Sequence, residues 1–225
     1  MSVLRGLAAV TLFALASLAV TQVPAQTPGQ PPPHDPADGP APAWPSPVCQ
    51  ATDDGSGGGT PGHSRAHYRP RLLDHVGPIP PASLLMPVDG ALVADVYPSF
   101  GDPRNGGRQH EGVDIMAARG TPVRAAAPGF VTRVDPDAIS VTIVGDGGIR
   151  YFYTHFDSLP DGLAEGRAVD IDTVIGYVGN SGNAAATAPH LHFGVYYGGL
   201  GEWCGWLPLD PLPWLVDRPS DTSSP

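Results

Sequence analysis

Beyond about residue 82 the chain settles into short apolar runs broken by Gly, Pro and Asp, a rhythm that predicts an all-β domain. "TPVRAAAPGFVTRV" (121–134) places Val and Phe in strand-like runs around Pro128-Gly129. "AISVTIVG" and "IRYFYTHF" flank Asp146-Gly147-Gly148, a hairpin turn signal. "AVDIDTVIGYVGNSG" and "PHLHFGVYY" complete the set, and no sustained helical period occurs. Strand alternation puts Ile149, Tyr151, Tyr153 and His155 on one face of their strand. In the last strand it projects His190 and His192 to one side and Leu191 and Phe193 to the other.

A faint internal echo runs through the domain. Gly120-x-x-Val123 precedes Gly129-Phe-Val131, and Gly166-x-x-Val169 precedes Gly176-Tyr-Val178. Duplicated β-units and the ordinary reuse of Gly and Val around turns both account for it.

The N-terminal part reads differently. Arg5, an apolar run from Gly6 to Val20 and the small-residue pattern Val23-Pro24-Ala25 form a secretory signal over residues 1–25, with an uncleaved anchor as the alternative. The run is short for a bilayer and no cysteine follows the cleavage pattern to take a lipid, so no stable membrane insertion is expected after cleavage. Residues 26–81 are rich in Pro and Gly and are expected to be a mostly disordered tether and approach segment. The folded domain is expected over 82–217, followed by a disordered tail, 218–225. A domain of this size holds its own core, and a monomer is expected.

Charge narrows the function. With 22 acidic and 12 basic residues the net charge is −10, every basic residue is Arg, and nucleic acid is excluded as a partner. The two cysteines, Cys49 and Cys204, are too few for a thiolate zinc site. In an exported protein a Cys49–Cys204 disulfide is the leading reading, with two unpaired cysteines as the alternative.

Histidine placement carries the chemistry. Of eight, His34, His63, His67 and His75 precede the β domain, while His110, His155, His190 and His192 lie within it. His110 and Asp114 stand four apart in "RQHEGVDIMA", among glycines that disfavour a helix, so they are placed on a loop entering a strand. Together with His192 they make a His, Asp, His donor set that leaves the fourth position of a tetrahedral zinc open, as in a catalytic site. The donor set alone leaves other metals open. His155, taken alone, reads as a bland histidine at a strand end rather than a catalytic one.

At these residues the chain resembles the LytM/lysostaphin-type zinc endopeptidases of bacterial cell walls. "SFGDPRNGGRQHEGVDI", "GTPVRAAAPGFV", "YFYTHF", "VIGYVGNSGNA", "PHLHFGVY" and "LDPLPWL" follow one another as the family's motifs do, from about Pro87 to Leu215. The resemblance implies a single antiparallel β-sheet or sandwich domain of the duplicated hybrid-motif type. It implies one Zn2+ per chain held by His110, Asp114 and His192, with His155 and His190 catalytic. His190 is expected as general base and His155 as the group that stabilises the oxyanion and protonates the leaving amine, with the two roles exchangeable. Glu111 is a rival base that should point elsewhere. Tyr153 and Asn183 are candidate substrate contacts, each equally plausible as packing or turn chemistry. Ala188 and Gly194 depart from the family's usual Gly and Glu.

The implied activity is hydrolysis of peptidoglycan stem peptides or cross-bridges, in the periplasm or outside the cell. The alternatives are a catalytically silent regulator of another wall hydrolase and a secreted protease acting on proteins. His63, His67, Asp74 and His75 raise a further expectation, that residues 63–75 fold over the open metal position; the alternative is an exposed linker.

Overall fold

The computed structural model describes residues 43–44, 76–137, 139–198 and 206–219. The signal segment, Cys49, Cys204 and the approach histidines His63, His67 and His75 lie outside the described residues, so the disulfide and the covering of the site belong to the sequence alone.

The main sheet grows from the alternating runs. Gly129–Asp135 (β4), Ser140–Gly145 (β5), Ile149–Thr154 (β6) and His190–Tyr197 (β10) pair antiparallel in the order β4-β5-β6-β10. The β5–β6 hairpin closes at Asp146–Gly148, where Gly147 and Gly148 take φ of 71° and 70°. Ala168–Val169 (β8) extends the sheet beyond β4. The free edge of β10 is shared by Val113–Met116 (β2), beside residues 190–193, and Leu207–Leu209 (β11), beside residues 195–197.

A second, three-stranded antiparallel sheet has the order β3-β9-β7, from Pro122–Arg124 (β3), Val174–Val178 (β9) and Phe156–Ser158 (β7). Leu84–Leu85 (β1) and Leu215–Val216 (β12) make a short parallel pair that ties the two ends of the domain together. No α-helix occurs among the described residues, and none is long and apolar enough to cross a membrane. The domain is all-β, as the turn spacing predicts.

The internal echo has a structural counterpart. β3 pairs with β9 and β4 with β8, so the first strand of each unit binds the second strand of the other. Val123 faces Gly176 and Gly129 faces Val169 in these pairings. A Cβ on Gly129 would lie 2.5 Å from the Val144 carbonyl oxygen, and one on Gly176 would lie 2.5 Å from the Phe156 ring.

The core lies between the sheets. Tyr151, Tyr153, Leu191, Phe193 and Val195 project into it from one face of β6 and β10, and Phe156, Ile175 and Val178 meet them from the smaller sheet. Each buried apolar side chain of this size contributes about 1.5–3 kcal/mol. The opposite face of β6 and β10 is thereby left for other work, and it carries His190 and His192.

Packing also reaches further toward the N-terminus than residue 82. Val76 is buried, Gly77 N–H donates to Asp146 Oδ1 at 2.6 Å, and Gly147 N–H donates back to the Gly77 carbonyl at 2.8 Å. Trp44 stacks on Trp214 with ring centroids 4.4 Å apart, and its Nε1–H donates to the Pro81 carbonyl at 2.7 Å. Proline richness disfavours helix and central strand, and it leaves an aromatic side chain such as that of Trp44 free to pack.

Candidate metal centre and its flanking histidines

Three donor atoms converge where β2 meets β10. His192 and Asp114 are directly opposed in the register, and Gly112 lets the strands come close, since a Cβ there would lie 2.4 Å from the Phe193 carbonyl oxygen and 3.0 Å from the His192 ring. His110 enters from the loop before β2. Its N–H donates to the Asp102 carbonyl and its own carbonyl accepts from Gly101 N–H, which fixes the backbone.

The ring tautomers follow from their partners, because a carbonyl only accepts. His110 Nδ1–H donates to the Ser99 carbonyl at 2.8 Å, which leaves Nε2 with a free lone pair. That Nε2 lies 2.8 Å from His192 Nδ1 and 3.1 Å from Asp114 Oδ1, and His192 Nδ1 lies 3.1 Å from the same oxygen. Zinc bonds of about 2.0–2.1 Å in a tetrahedron put ligand atoms roughly 3.3 Å apart, so the triangle is close to the required size. The His110 Nε2 lone pair and the Asp114 oxygen are two acceptors directed at one point, an arrangement that a cation between them would stabilise. The donor set therefore fits a divalent metal.

Electrostatics agree with that demand. Burial works to raise the pKa of Asp114, yet the closeness of His110 and His192, which donate to it and carry positive charge when protonated, outweighs burial and holds the carboxyl well below its usual range. Burial pushes His192 down, against the opposing pull of Asp114, which favours the neutral ligand form. Asp114 Oδ2 turns outward to Arg104, whose Nη2 donates to it at 2.8 Å.

His155 and His190 stand beside the triangle, with ring centroids 5.1 Å apart. His190 Nδ1–H donates to the Ala188 carbonyl at 2.8 Å, and its Nε2 is 3.9 Å from Asp114 Oδ1, beside the donor triangle. His155 Nδ1–H donates to the Ser181 carbonyl at 2.9 Å, and its ring lies 6.0 Å from that of His192. Burial, then the charges of His190 and His192, lower the pKa of His155 to about 4.

Simple alternation misplaces His155. Tyr151 and Tyr153 point into the core, so a regular strand would bury His155 with them. Instead His155 has φ of 71°, and this left-handed residue between β6 and β7 swings its ring out to the metal face. Tyr153 needs a different correction. It is fully buried, and its hydroxyl accepts the Ala126 N–H at 3.0 Å, so it is a core residue rather than a substrate contact. Asn183 is exposed on the turn Gly182–Ala184, close in sequence to the carbonyl that holds His155. The Glu111 carboxylate engages the Tyr196 hydroxyl, away from the donor triangle.

Several participants carry no sequence signal. Ser99, Ser181 and Ala188 act through backbone carbonyls, to which side-chain identity is indifferent. Arg119 binds both Asp157 and Asn180 Oδ1, and Asn180 Nδ2–H donates to the carbonyls of Ala185 at 3.3 Å and Thr187 at 3.0 Å. These bonds brace the loop that carries Ser181 and Ala188.

The all-β domain thus carries a His, Asp, His donor triangle that could hold a metal ion, with two further histidines beside it. Residues 108–202 match the family described as Peptidase family M23. An L-Ala–D-Glu endopeptidase of Bacillus subtilis (strain 168) is 34% identical over 128 residues, covering 52% of this chain and 38% of its own length. A DD-carboxypeptidase/endopeptidase Mpg of Neisseria meningitidis serogroup B is 38% identical over 120 residues, covering 52% of this chain and 25% of its own. The chain thus spans well under half the length of these relatives. Among solved structures, the catalytic domain of the M23 protein EnpA from Enterococcus faecalis shares 25% identity over 58% of this chain and 96% of its own, with a TM-score of 0.45. The catalytic domain of lysostaphin from Staphylococcus simulans shares 28% over 45% and 78%, with a TM-score of 0.40.

Proposed function

We propose that the protein is an exported zinc metalloendopeptidase that hydrolyses amide bonds in the stem peptides or cross-bridges of peptidoglycan, with His110, Asp114 and His192 as its metal ligands. The observation that carries this reading is the convergence of His110 Nε2, Asp114 Oδ1 and His192 Nδ1 on one point, flanked by two further imidazoles. The endopeptidase names of the two curated relatives support the substrate class. The signal pattern of residues 1–25 supports export.

When bound, a zinc ion supplies Lewis acidity to the scissile carbonyl and to a water. The chain supplies the proton chemistry. His190 and His155 both use Nδ1–H on a carbonyl, so each neutral ring offers Nε2 as an acceptor. His190, whose Nε2 is the one near Asp114, takes the proton of the attacking water and delivers it to the leaving amine, which balances the reaction with one proton.

The tautomer changes the part expected of His155. A ring whose Nδ1–H is held by Ser181 cannot donate to an oxyanion while neutral, and its lowered pKa keeps it neutral. His155 is instead assigned as a second acceptor that orients the water. Asn183 remains a candidate substrate contact at the exposed turn.

The test is release of new amino groups from purified peptidoglycan, with fragment masses, for wild type, His192→Ala and a chelated sample. Release by the wild type alone is expected, and the masses identify the bond. No release from any wall type by a chain carrying one zinc would sink the proposal and favour a regulator or a protein-directed protease.

A further inference from the structure

Arg150 shares the sheet face of the metal site. Its neighbours on β6, Tyr151 and Ile149, are fully buried in the core, so Arg150, Phe152 and Thr154 project the other way. Their register partners on β10 are Tyr196, Gly194 and His192. Phe152 meets the His192 ring edge-on, with centroids 6.2 Å apart. Four residues of strand separate His192 from Tyr196, which puts Arg150 roughly 13 Å along the sheet from the ligands. Between them on this face of β10 stands only Gly194, which carries no side chain; a Cβ there would lie 3.0 Å from the Glu111 carbonyl oxygen and from the Tyr196 ring.

The guanidinium of Arg150 is braced by Tyr196, to whose hydroxyl it hydrogen-bonds, but no carboxylate among the described residues pairs with it. It stacks 4.0 Å from the centroid of Tyr196 and 4.6 Å from that of Trp206. Its Nε is buried with no hydrogen-bond partner. Other described arginines donate to aspartates, as Arg104 and Arg133 do, or to backbone carbonyls, as Arg167 and Arg218 do. Among the described residues Arg150 takes part in no ion pair; Glu111, whose charge acts on it, spends its hydrogen bond on Tyr196. A buried donor left unpaired is unfavourable, and in a native fold it points to an acceptor from outside the chain. The stacking fixes the plane of the fork, and a carboxylate is the acceptor that matches a fixed planar fork.

We propose that Arg150, held by Tyr196 and Trp206, is a carboxylate-binding subsite that reads a free carboxylate on the peptide substrate about four extended residues from the scissile bond. This deepens the peptidase reading and rests on it for the ligand being a peptide.

The test uses the full metal-loaded chain and stem-type peptides with each free carboxylate amidated in turn. Binding is measured by calorimetry, with His190→Ala in place of wild type wherever turnover occurs. One free-carboxylate peptide is expected to bind at least about tenfold more tightly than its amide. Arg150→Gln should erase that difference, and Arg150→Lys should restore part of it. Equal affinity for acid and amide in the unsubstituted chain, including no binding of either, overturns the proposal without recourse to a variant. A preference that survives in folded Arg150→Gln also overturns it. Carboxylate-dependent binding without hydrolysis would leave the subsite standing and remove the peptidase; hydrolysis without discrimination would do the reverse.

Discussion

His192 and Asp114 face each other directly across the β2–β10 pair, with His192 Nδ1 3.1 Å from Asp114 Oδ1 while Oδ2 of the same carboxylate accepts from Arg104 at 2.8 Å. One oxygen faces the donor triangle and the other is engaged by a cation. A carboxylate held in this way presents a single ligand atom in a fixed direction.

Replacing Arg104 should therefore loosen the metal without destroying the fold, since the side chain is 40% exposed. Arg104→Gln is expected to raise the zinc dissociation constant about tenfold or more, as for other residues that orient ligands. Arg104→Lys should recover part of the loss. Competition against a chromogenic chelator measures this directly, and an unchanged constant in Arg104→Gln would remove the positioning role.

The loop behind the two flanking histidines makes a contrasting case. Asn180 ties Arg119 to the carbonyls of Ala185 and Thr187, and the same loop presents Ser181 to His155 and Ala188 to His190. Asn180→Ala is expected to lower kcat about tenfold while zinc affinity stays at the wild-type value, because none of the three ligands hangs from that loop. A parallel fall in zinc affinity would show that the loop serves the metal rather than the proton acceptors.

Much of this was legible in the sequence because strand alternation is rigid. The Leu191/Phe193 and His190/His192 split follows from period two alone, and the Asp146-Gly147-Gly148 turn from its residue types. His155 was not placeable by that rule, since a single left-handed residue reverses which face a side chain occupies. Tyr153 shows the converse: a tyrosine two residues before a candidate catalytic histidine looks like a contact, yet its register neighbours put it in the core. Arg104 and Arg150 act through distances between segments far apart in the chain, which no local pattern encodes. Ala188 acts through its carbonyl, not its side chain, in holding His190, so its residue type carries no signal.

His155 also predicts how the metal-free chain responds to acid. Its folded pKa is lowered to about 4 from an ordinary 6.5, so below 6.5 the unfolded chain takes up the proton first. Stability should fall as pH drops from 6.5 toward 4, and this contribution should level off below 4. Burial acts on His192 in the same direction. His155→Asn, which tolerates the left-handed backbone, should make the slope shallower without abolishing it. Urea midpoints at pH 7 and pH 4.5 decide this, and an unchanged slope in the variant would count against a buried neutral His155.

The stacking of Trp44 on Trp214 carries a prediction about the reach of the folded unit. Trp44 makes an aromatic stack and a hydrogen bond to the Pro81 carbonyl, across a stretch of chain that composition alone assigns to a tether. A stack of this kind contributes about 0.5–1.5 kcal/mol beyond its buried area. Trp44→Ala should then lower Tm by about 2–6 °C in a domain of this size. None of the partners of the four site histidines and the aspartate is Trp44 or Pro81, so kcat and zinc affinity are expected to hold. A chain beginning at Ala82 should show the loss of Trp44 together with that of the Val76 and Gly77 contacts, and so melt lower still. Equal Tm values for the full chain, Trp44→Ala and the shortened chain would confine the folded unit to residue 82 and beyond.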